Sequence, residues 1–349
     1  MNAEDTFMWK EIMESPAAIE NSMRVNSKAI KELAGEFNRR KIRNIMIAGR
    51  GTSDHAAVYG QYILGILCGI PVTFAAPSLL TMYKCNLDLR DWFVIGISQS
   101  GQTMDAVSIV DSAAAQGALT AVITNTENSV LAKSSNYTLL CSAGPEKSVA
   151  ATKTFITEMD LLLQIATAIS GNAEAERELR EIPDSLDKVF TMNNMIQSLV
   201  PRYRFMSECF VLSRGVNYAV ALEAALKIQE TTYVKALGFA ISDFYHGPLA
   251  MINSGLPVIV LAPGKNLAAE AGSFLDRISA AHADTLVISD DRELCRKGSV
   301  SLQLPVSASD CANAFHTTAV IQMFACRLAV LLENNPDKPR MLKKIADVN

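Results

Sequence analysis

The sequence predicts an α/β chain built from two copies of a parallel sheet, each with helices on both faces. Three observations predict it. Short apolar runs rich in Val and Ile end in turn residues and alternate with helical patterns; the order of those runs recurs later in the chain; and one offset superposes much of the two halves. Strands that are apolar throughout, rather than at every second residue, belong to parallel sheets buried on both faces.

In the first half, "NIMIAG" (44–49), "PVTFAAP" (71–77), "WFVIGIS" (92–98), "ALTAVIT" (118–124) and "YTLLCS" (137–142) read as strands. "SDHAAVYGQYILGILCG" and "MDAVSIVDSAAAQG" read as helices between them. Residues 1–170 are therefore expected to hold an N-terminal helix and a first domain. Residues 171–200 are charged and contain Pro183, and read as a helical connector. A second domain is expected over 201–334, with strands in "CFVLSRG" (209–215), "LPVIVLAPG" (256–264), "DTLVISD" (284–290) and "SLQLPV" (301–306). Residues 335–349 form a tail. Adding 164 carries Arg50-Gly51 onto Arg214-Gly215 and Val94–Ser98 onto Val258–Ala262, as expected of an internal duplication.

Composition excludes several classes. The 349 residues are 49% hydrophobic and 19% charged, with a formal net charge of −4 and no basic stripe, so no nucleic-acid partner is expected. The acidic, amphipathic N-terminus is not a signal peptide, and no apolar stretch is expected to reach the roughly 18–20 residues of a membrane helix. The seven cysteines are scattered without a CxxC pair, against a zinc or disulfide framework and in favour of a reducing cytoplasm. No metal and no cofactor is expected.

The stretch "GISQSGQT" places Ser98, Gln99, Ser100, Gly101 and Thr103 where a buried strand stops and a helix starts. In an open parallel sheet, ligands bind beyond the carboxyl ends of the strands, where helix N-termini offer unpaired N–H groups to an anion. Gly51, Thr52 and Ser53 form a similar turn after the first strand, and His55 follows closely enough to line the same site. Helix capping would explain a single Ser or Thr. The cluster, absent from the matching Ala262-Pro263-Gly264-Lys265, favours a phosphate monoester held by neutral donors. Neither GxxxxGK[ST] nor GxGxxG occurs, which disfavours a nucleotide.

In "YAVALEAALKIQE", Glu223, Lys227 and Glu230 fall on one helical face among Ala, Leu, Ile and Val. Such spacing often marks a solvated stripe. The apolar remainder instead points to a charged face lining a pocket, where a carboxylate moves protons between adjacent carbons.

Together with "GRGTSDHA", "AGPEKSVAATKTF" (143–155), "SDFYHGPLAMI" (242–252) and "NPDKPRMLKK" (335–344), these motifs resemble those of the sugar isomerase (SIS) domain family, a phosphosugar-binding module. Two tandem copies, each a flavodoxin-like parallel sheet, are similar to the isomerase half of the glucosamine-6-phosphate synthases. The resemblance implies that Glu230 is the base for the C1/C2 proton and that His246 opens and closes the sugar ring. It implies a homodimer, with His246 reaching the neighbouring subunit's site. It makes Lys344, or Lys343 after a one-residue slip, the amine that forms a Schiff base with the keto sugar. Val149, Ala150 and Thr152 become substrate contacts, with Ala151 standing where the family often has Ser. His282 and His316 carry no motif and read as structural.

The synthases make ammonia in an N-terminal glutaminase domain, whereas only residues 1–43 precede the first strand here. The expected reaction is therefore the reverse: glucosamine 6-phosphate to fructose 6-phosphate and ammonia, as in SIS-type deaminases. Fructosamine-6-phosphate deglycase and galactosamine-6-phosphate deaminase activity are the alternatives. A phosphosugar-sensing regulator would carry a DNA-reading domain and has little use for Glu230, His246 and Lys344 together.

Overall fold

The computed structural model describes residues 1–306 and 308–344. Its contacts divide the chain into two compact units. The first comprises Glu14–Glu146 and Lys153–Arg180, with Lys343 and Lys344; the second comprises Met1–Met13, Lys147–Thr152 and Glu181–Leu342. The N-terminal residues thus group with the later half of the chain. The span read as a connector holds the helices Ala173–Phe190, with Pro183 inside it, and Asn193–Leu199. Residues 345–349 of the expected tail lie outside the described residues.

The first unit carries β1 (Asn44–Ala48), β2 (Val72–Phe74), β3 (Trp92–Ile97), β4 (Leu119–Thr124) and β5 (Tyr137–Leu140), parallel throughout and in the order β2-β1-β3-β4-β5. β1, β3 and β4 are buried almost throughout and mainly apolar, as expected of strands covered on both faces. Val94, Val107, Val110, Val122 and Leu131 close one side, and the Lys153–Ser170 helix packs against Ser15–Arg40 and Thr52–Cys68.

The second unit repeats the plan with β6 (Glu208–Ser213), β7 (Lys235–Ala240), β8 (Pro257–Leu261), β9 (Asp284–Ser289) and β10 (Val300–Gln303), in the order β10-β9-β8-β6-β7. Counted from β6, this is the same 2-1-3-4-5 order. The register repeats too: Met46 pairs with Val94 and Phe210 with Val258, both residues displaced by 164. The duplication expected from the sequence is therefore present in fold, order and register. An aromatic cluster fills this unit's core, with Phe244 edge-on to Phe210 at 5.0 Å and to Phe274 at 5.8 Å.

One expectation is corrected. The Asp310–Leu331 helix is long and apolar enough, by length and composition, to cross a membrane. Asn313, His316, Thr317, Gln322 and Arg327 interrupt its apolar run in the sequence and hide its length. Within the chain it is a core helix, with 89% of the apolar window buried against its own unit.

Both sheets have a switch point, where connections from adjacent strands leave to opposite sides and open a crevice. In the first unit it lies between β1 and β3, so the loops at 49–51 and 98–103 flank it. In the second it lies between β6 and β8.

Candidate functional site

At the first switch point the hydroxyl loop is ordered by its own side chains. Ser98 Oγ accepts the Gly101 N–H at 3.1 Å and lies 2.9 Å from Thr103 Oγ1, while Ser100 Oγ accepts the Gln102 N–H at 3.3 Å. Ser98 and Ser100 are buried; Gln99 and Thr103 are half-buried. Thr103 begins the Met104–Ala115 helix without a side-chain cap bond, so the hydroxyls order the loop rather than close the helix. The start of a helix leaves backbone N–H groups without an intrahelical acceptor, a feature that can receive an anion.

Gly101 is required here on two counts. Its φ is +65°, and a Cβ would lie 2.1 Å from Ser129 Oγ. Gly51, at the start of the Thr52–Cys68 helix, has φ +57° but open space around it. Gly101→Ala is therefore expected to cost on the order of 2–4 kcal/mol, from overlap plus left-handed strain, against about 1–2 kcal/mol for Gly51→Ala. Chemical denaturation of both variants beside the wild type checks the ranking; equal losses would mean the Ser129 contact yields freely.

The Ser53 hydroxyl donates to Glu158 Oε1 at 2.9 Å. Glu158 and Asp160 are fully buried carboxylates on the largely buried Lys153–Ser170 helix, and burial pushes the Asp160 carboxyl up to about 7. Neither was singled out from sequence, although two acids within "FITEMDLLL" were the available signal.

Lys344 also belongs to the first unit. Its ammonium lies 2.7 Å from Glu146 Oε2, a carboxylate with no exposed side-chain area. Glu146 also accepts the Thr154 N–H at 3.1 Å and the Thr154 hydroxyl at 2.8 Å. Lys153, itself buried, pairs with Glu14 at 2.6 Å.

In the second unit, the Tyr218–Thr232 helix brings Glu223, Lys227 and Glu230 together. Lys227 Nζ lies 2.6 Å from Glu230 Oε2 and 3.3 Å from Glu223 Oε1. Exposure separates the two acids: the side chains of Lys227 and Glu223 are 1% and 2% exposed, that of Glu230 is 20%. The face is therefore not a solvated stripe. Burial alone would lower the Lys227 ammonium, but the two carboxylates outweigh it and hold it above the ordinary lysine range. Glu230 is thus a carboxylate reachable from outside and fixed from behind by a buried cation.

His246 sits in the exposed turn after β7, its backbone N–H donating to Asp243 O at 3.0 Å, and Gly247 follows at φ +141°. In the 147–152 loop, Ala150 and Thr152 are fully buried and Val149 is half-buried. Glu11 holds this loop by accepting the N–H groups of Lys147 and Ser148, and the Val149 N–H reaches Asp337 O at 3.4 Å. In the tail, the Arg340 guanidinium stacks 3.7 Å from the Tyr233 ring centroid. His316 is buried at 2.7 Å from Ser185 Oγ, and burial lowers its imidazole to about 4. At the second switch point, Asn217 faces inward and accepts the Thr317 hydroxyl at 2.7 Å where the first copy has Ser53.

With these features in place, comparison with known proteins is decisive for the family. A sequence profile of the SIS domain matches residues 40–168 and again 207–332. The chain belongs to the SIS domain family. Both SIS matches contain one of the two five-stranded sheets. A glutamine–fructose-6-phosphate aminotransferase (isomerizing) from Pyrococcus horikoshii is 33% identical over 351 residues; the alignment covers 98% of this SIS protein and 58% of that relative. The chain thus spans less than two thirds of the length of that relative. Among solved structures, the C-terminal domain of glucosamine-fructose-6-phosphate aminotransferase from Francisella tularensis superposes with a TM-score of 0.85 at 24% identity, covering 96% of this chain and 98% of that one. A glucosamine-6-phosphate deaminase from Thermotoga maritima superposes with a TM-score of 0.70 at 21% identity, covering 94% and 98%. At these identities the two structures attest the double SIS fold.

Proposed function

We propose that the chain acts on a sugar 6-phosphate as an aldose–ketose isomerase and releases an amine, converting glucosamine 6-phosphate and water to fructose 6-phosphate and ammonia. The observation that carries this reading is the buried Lys227 holding Glu230, a partly exposed carboxylate, on the largely buried Tyr218–Thr232 helix. It suits a base that must alternately take and return a proton.

In this reading the hydroxyl loop, with Ser98, Gln99, Ser100 and Thr103, binds the phosphate along with Gly51 and Thr52, and remote binding energy positions C1 and C2. His246 transfers the proton that opens the ring. Glu230 removes the proton from C2 of the open amino aldose and returns it to C1, while the aldehyde oxygen gains a proton. The product is an imine at C2, and water adds to it and expels ammonia, leaving the ketose. Where Lys344 takes part, its amine adds to that C2 imine and expels the ammonia, and water then hydrolyses the lysine imine to the same ketose and returns the free lysine, with Glu146 as the acceptor of the proton the ammonium must lose to become nucleophilic. Val149, Ala150 and Thr152 contact the sugar through the loop held by Glu11.

The aminotransferase name of the Pyrococcus relative supports the substrate pair, because a catalyst lowers the same barrier in both directions. With the amino sugar phosphate and water as the reactants, that same pair runs toward fructose 6-phosphate and free ammonia. The exposed turn at His246 suits a homodimer that receives this histidine from its partner, and a reducing cytoplasm suits cysteines that form no disulfide among the described residues.

The deciding experiment incubates the purified chain with glucosamine 6-phosphate and follows ammonia and fructose 6-phosphate together. Equal amounts of both are expected. Turnover of galactosamine 6-phosphate or of fructosamine 6-phosphates instead would keep the isomerase reading and change the substrate; binding without turnover of any of them would overturn it.

A further inference from the structure

The two SIS copies differ at their hydroxyl loops, but each carries an arginine–carboxylate ion pair beside its switch point. Arg50 Nε lies 2.8 Å from Asp105 Oδ2 in the first copy, and Arg214 Nη1 lies 2.6 Å from Glu270 in the second. Arg50 and Arg214 are related by the offset of 164, and Asp105 and Glu270 by 165. Each arginine immediately precedes the glycine that follows the first strand of its sheet. Each acid lies on the helix that follows the third strand, and Asp105 is in that helix's first turn. The pair therefore spans the loops on either side of the switch point.

An acid in a helix's first turn is favourable toward the helix's own dipole. Beside an anion site it is a liability, because it opposes a second negative charge. The Arg50 guanidinium cancels that charge without entering the loop. We propose that Arg50 and Asp105 set the phosphate affinity of the first SIS copy: Asp105 is a built-in negative charge against the ligand, and Arg50 neutralises it. This inference rests on the reading of Ser98–Thr103 as the phosphate cradle. Both side chains are substantially exposed, 49% and 39%, so solvent screens the effect to a moderate size.

The assignment predicts effects of opposite sign, which a strap that merely spaces two loops would not produce. The probe is inorganic phosphate, titrated into the full chain by calorimetry at low ionic strength. Arg50→Met is expected to weaken phosphate binding about five- to tenfold by exposing the Asp105 charge, and Asp105→Asn to strengthen it about two- to threefold by freeing the Arg50 charge. The double variant should return to within about twofold of the wild type, Arg50→Lys should retain most of the affinity, and all differences should shrink in 0.5 M salt as ionic screening grows. Equal weakening by both single variants, or no change in either, overturns the proposal. Absence of phosphate binding in the wild type would instead remove the cradle itself, a result seen before any variant is made.

Discussion

Glu230→Gln should abolish turnover while leaving phosphosugar binding in place. The amide keeps the shape of the carboxylate and still offers an oxygen to Lys227 Nζ, now 2.6 Å from Glu230 Oε2. What it loses is the capacity to take a proton from carbon. General base catalysis contributes roughly 10²–10⁴-fold, so kcat should fall by that factor while KM moves only a few-fold. Steady-state kinetics on the amino sugar phosphate, with isothermal titration of the same ligand, separates the two quantities. A kcat within about threefold of the wild type would remove Glu230 from the chemistry and return it to a structural part in the Lys227 network.

The second large effect is on stability. Lys227→Met removes a cation whose side chain is 1% exposed and leaves Glu223, 2% exposed, without its partner at 3.3 Å. Breaking a buried pair from one side costs about 3–5 kcal/mol, because the surviving charge stays out of water. The melting temperature should fall by on the order of 10 °C. Glu223→Gln added to Lys227→Met should recover part of the loss, since it discharges the stranded acid. The pH dependence has a definite sign. The folded ammonium is held above its ordinary 10.5, so its contribution is complete below that pH and disappears as pH rises through the folded value. The gap between wild type and Lys227→Met should therefore be level from pH 7 to about 10 and close above it. A variant that melts with the wild type at pH 7 would show that these ion pairs contribute nothing net.

The parts of the molecule that were legible in the sequence are those with a period or an offset. Runs rich in Val, Ile and other apolar residues marked β1, β3, β4, β8 and β9 because buried parallel strands are apolar on both faces. The Glu223, Lys227 and Glu230 spacing was visible because helical periodicity is local. β7 was missed for the opposite reason: "KALGFA" is an edge strand, partly exposed, with Gly238 inside it, so neither alternation nor a continuous apolar run identifies it. The length of the Asp310–Leu331 helix was hidden because its buried polar residues find partners only in the fold, as Thr317 does on Asn217. Long-range pairs were illegible as a class. Ser53 with Glu158 and Lys344 with Glu146 join residues 105 and 198 positions apart, and single residues carry no mark of a partner at that distance.

The helix Phe7–Met13 bears on how the chain is made. Its first N–H groups, on Phe7 and Met8, are both received at 2.8 Å by the Asp337 carboxylate, 330 and 329 residues later. At roughly 5–20 residues per second, synthesis of that interval takes about 15–60 s. For all of that time the opening segment, with Met8, Trp9 and Ile12 that end fully or nearly buried, has no access to its cap. Residues 14–180, apart from the short 147–152 loop, can meanwhile close their sheet around contacts already synthesised. The Phe7–Met13 helix thus waits for Asp337, and hydrophobic surface synthesised some 330 residues earlier is covered only once that carboxylate has emerged.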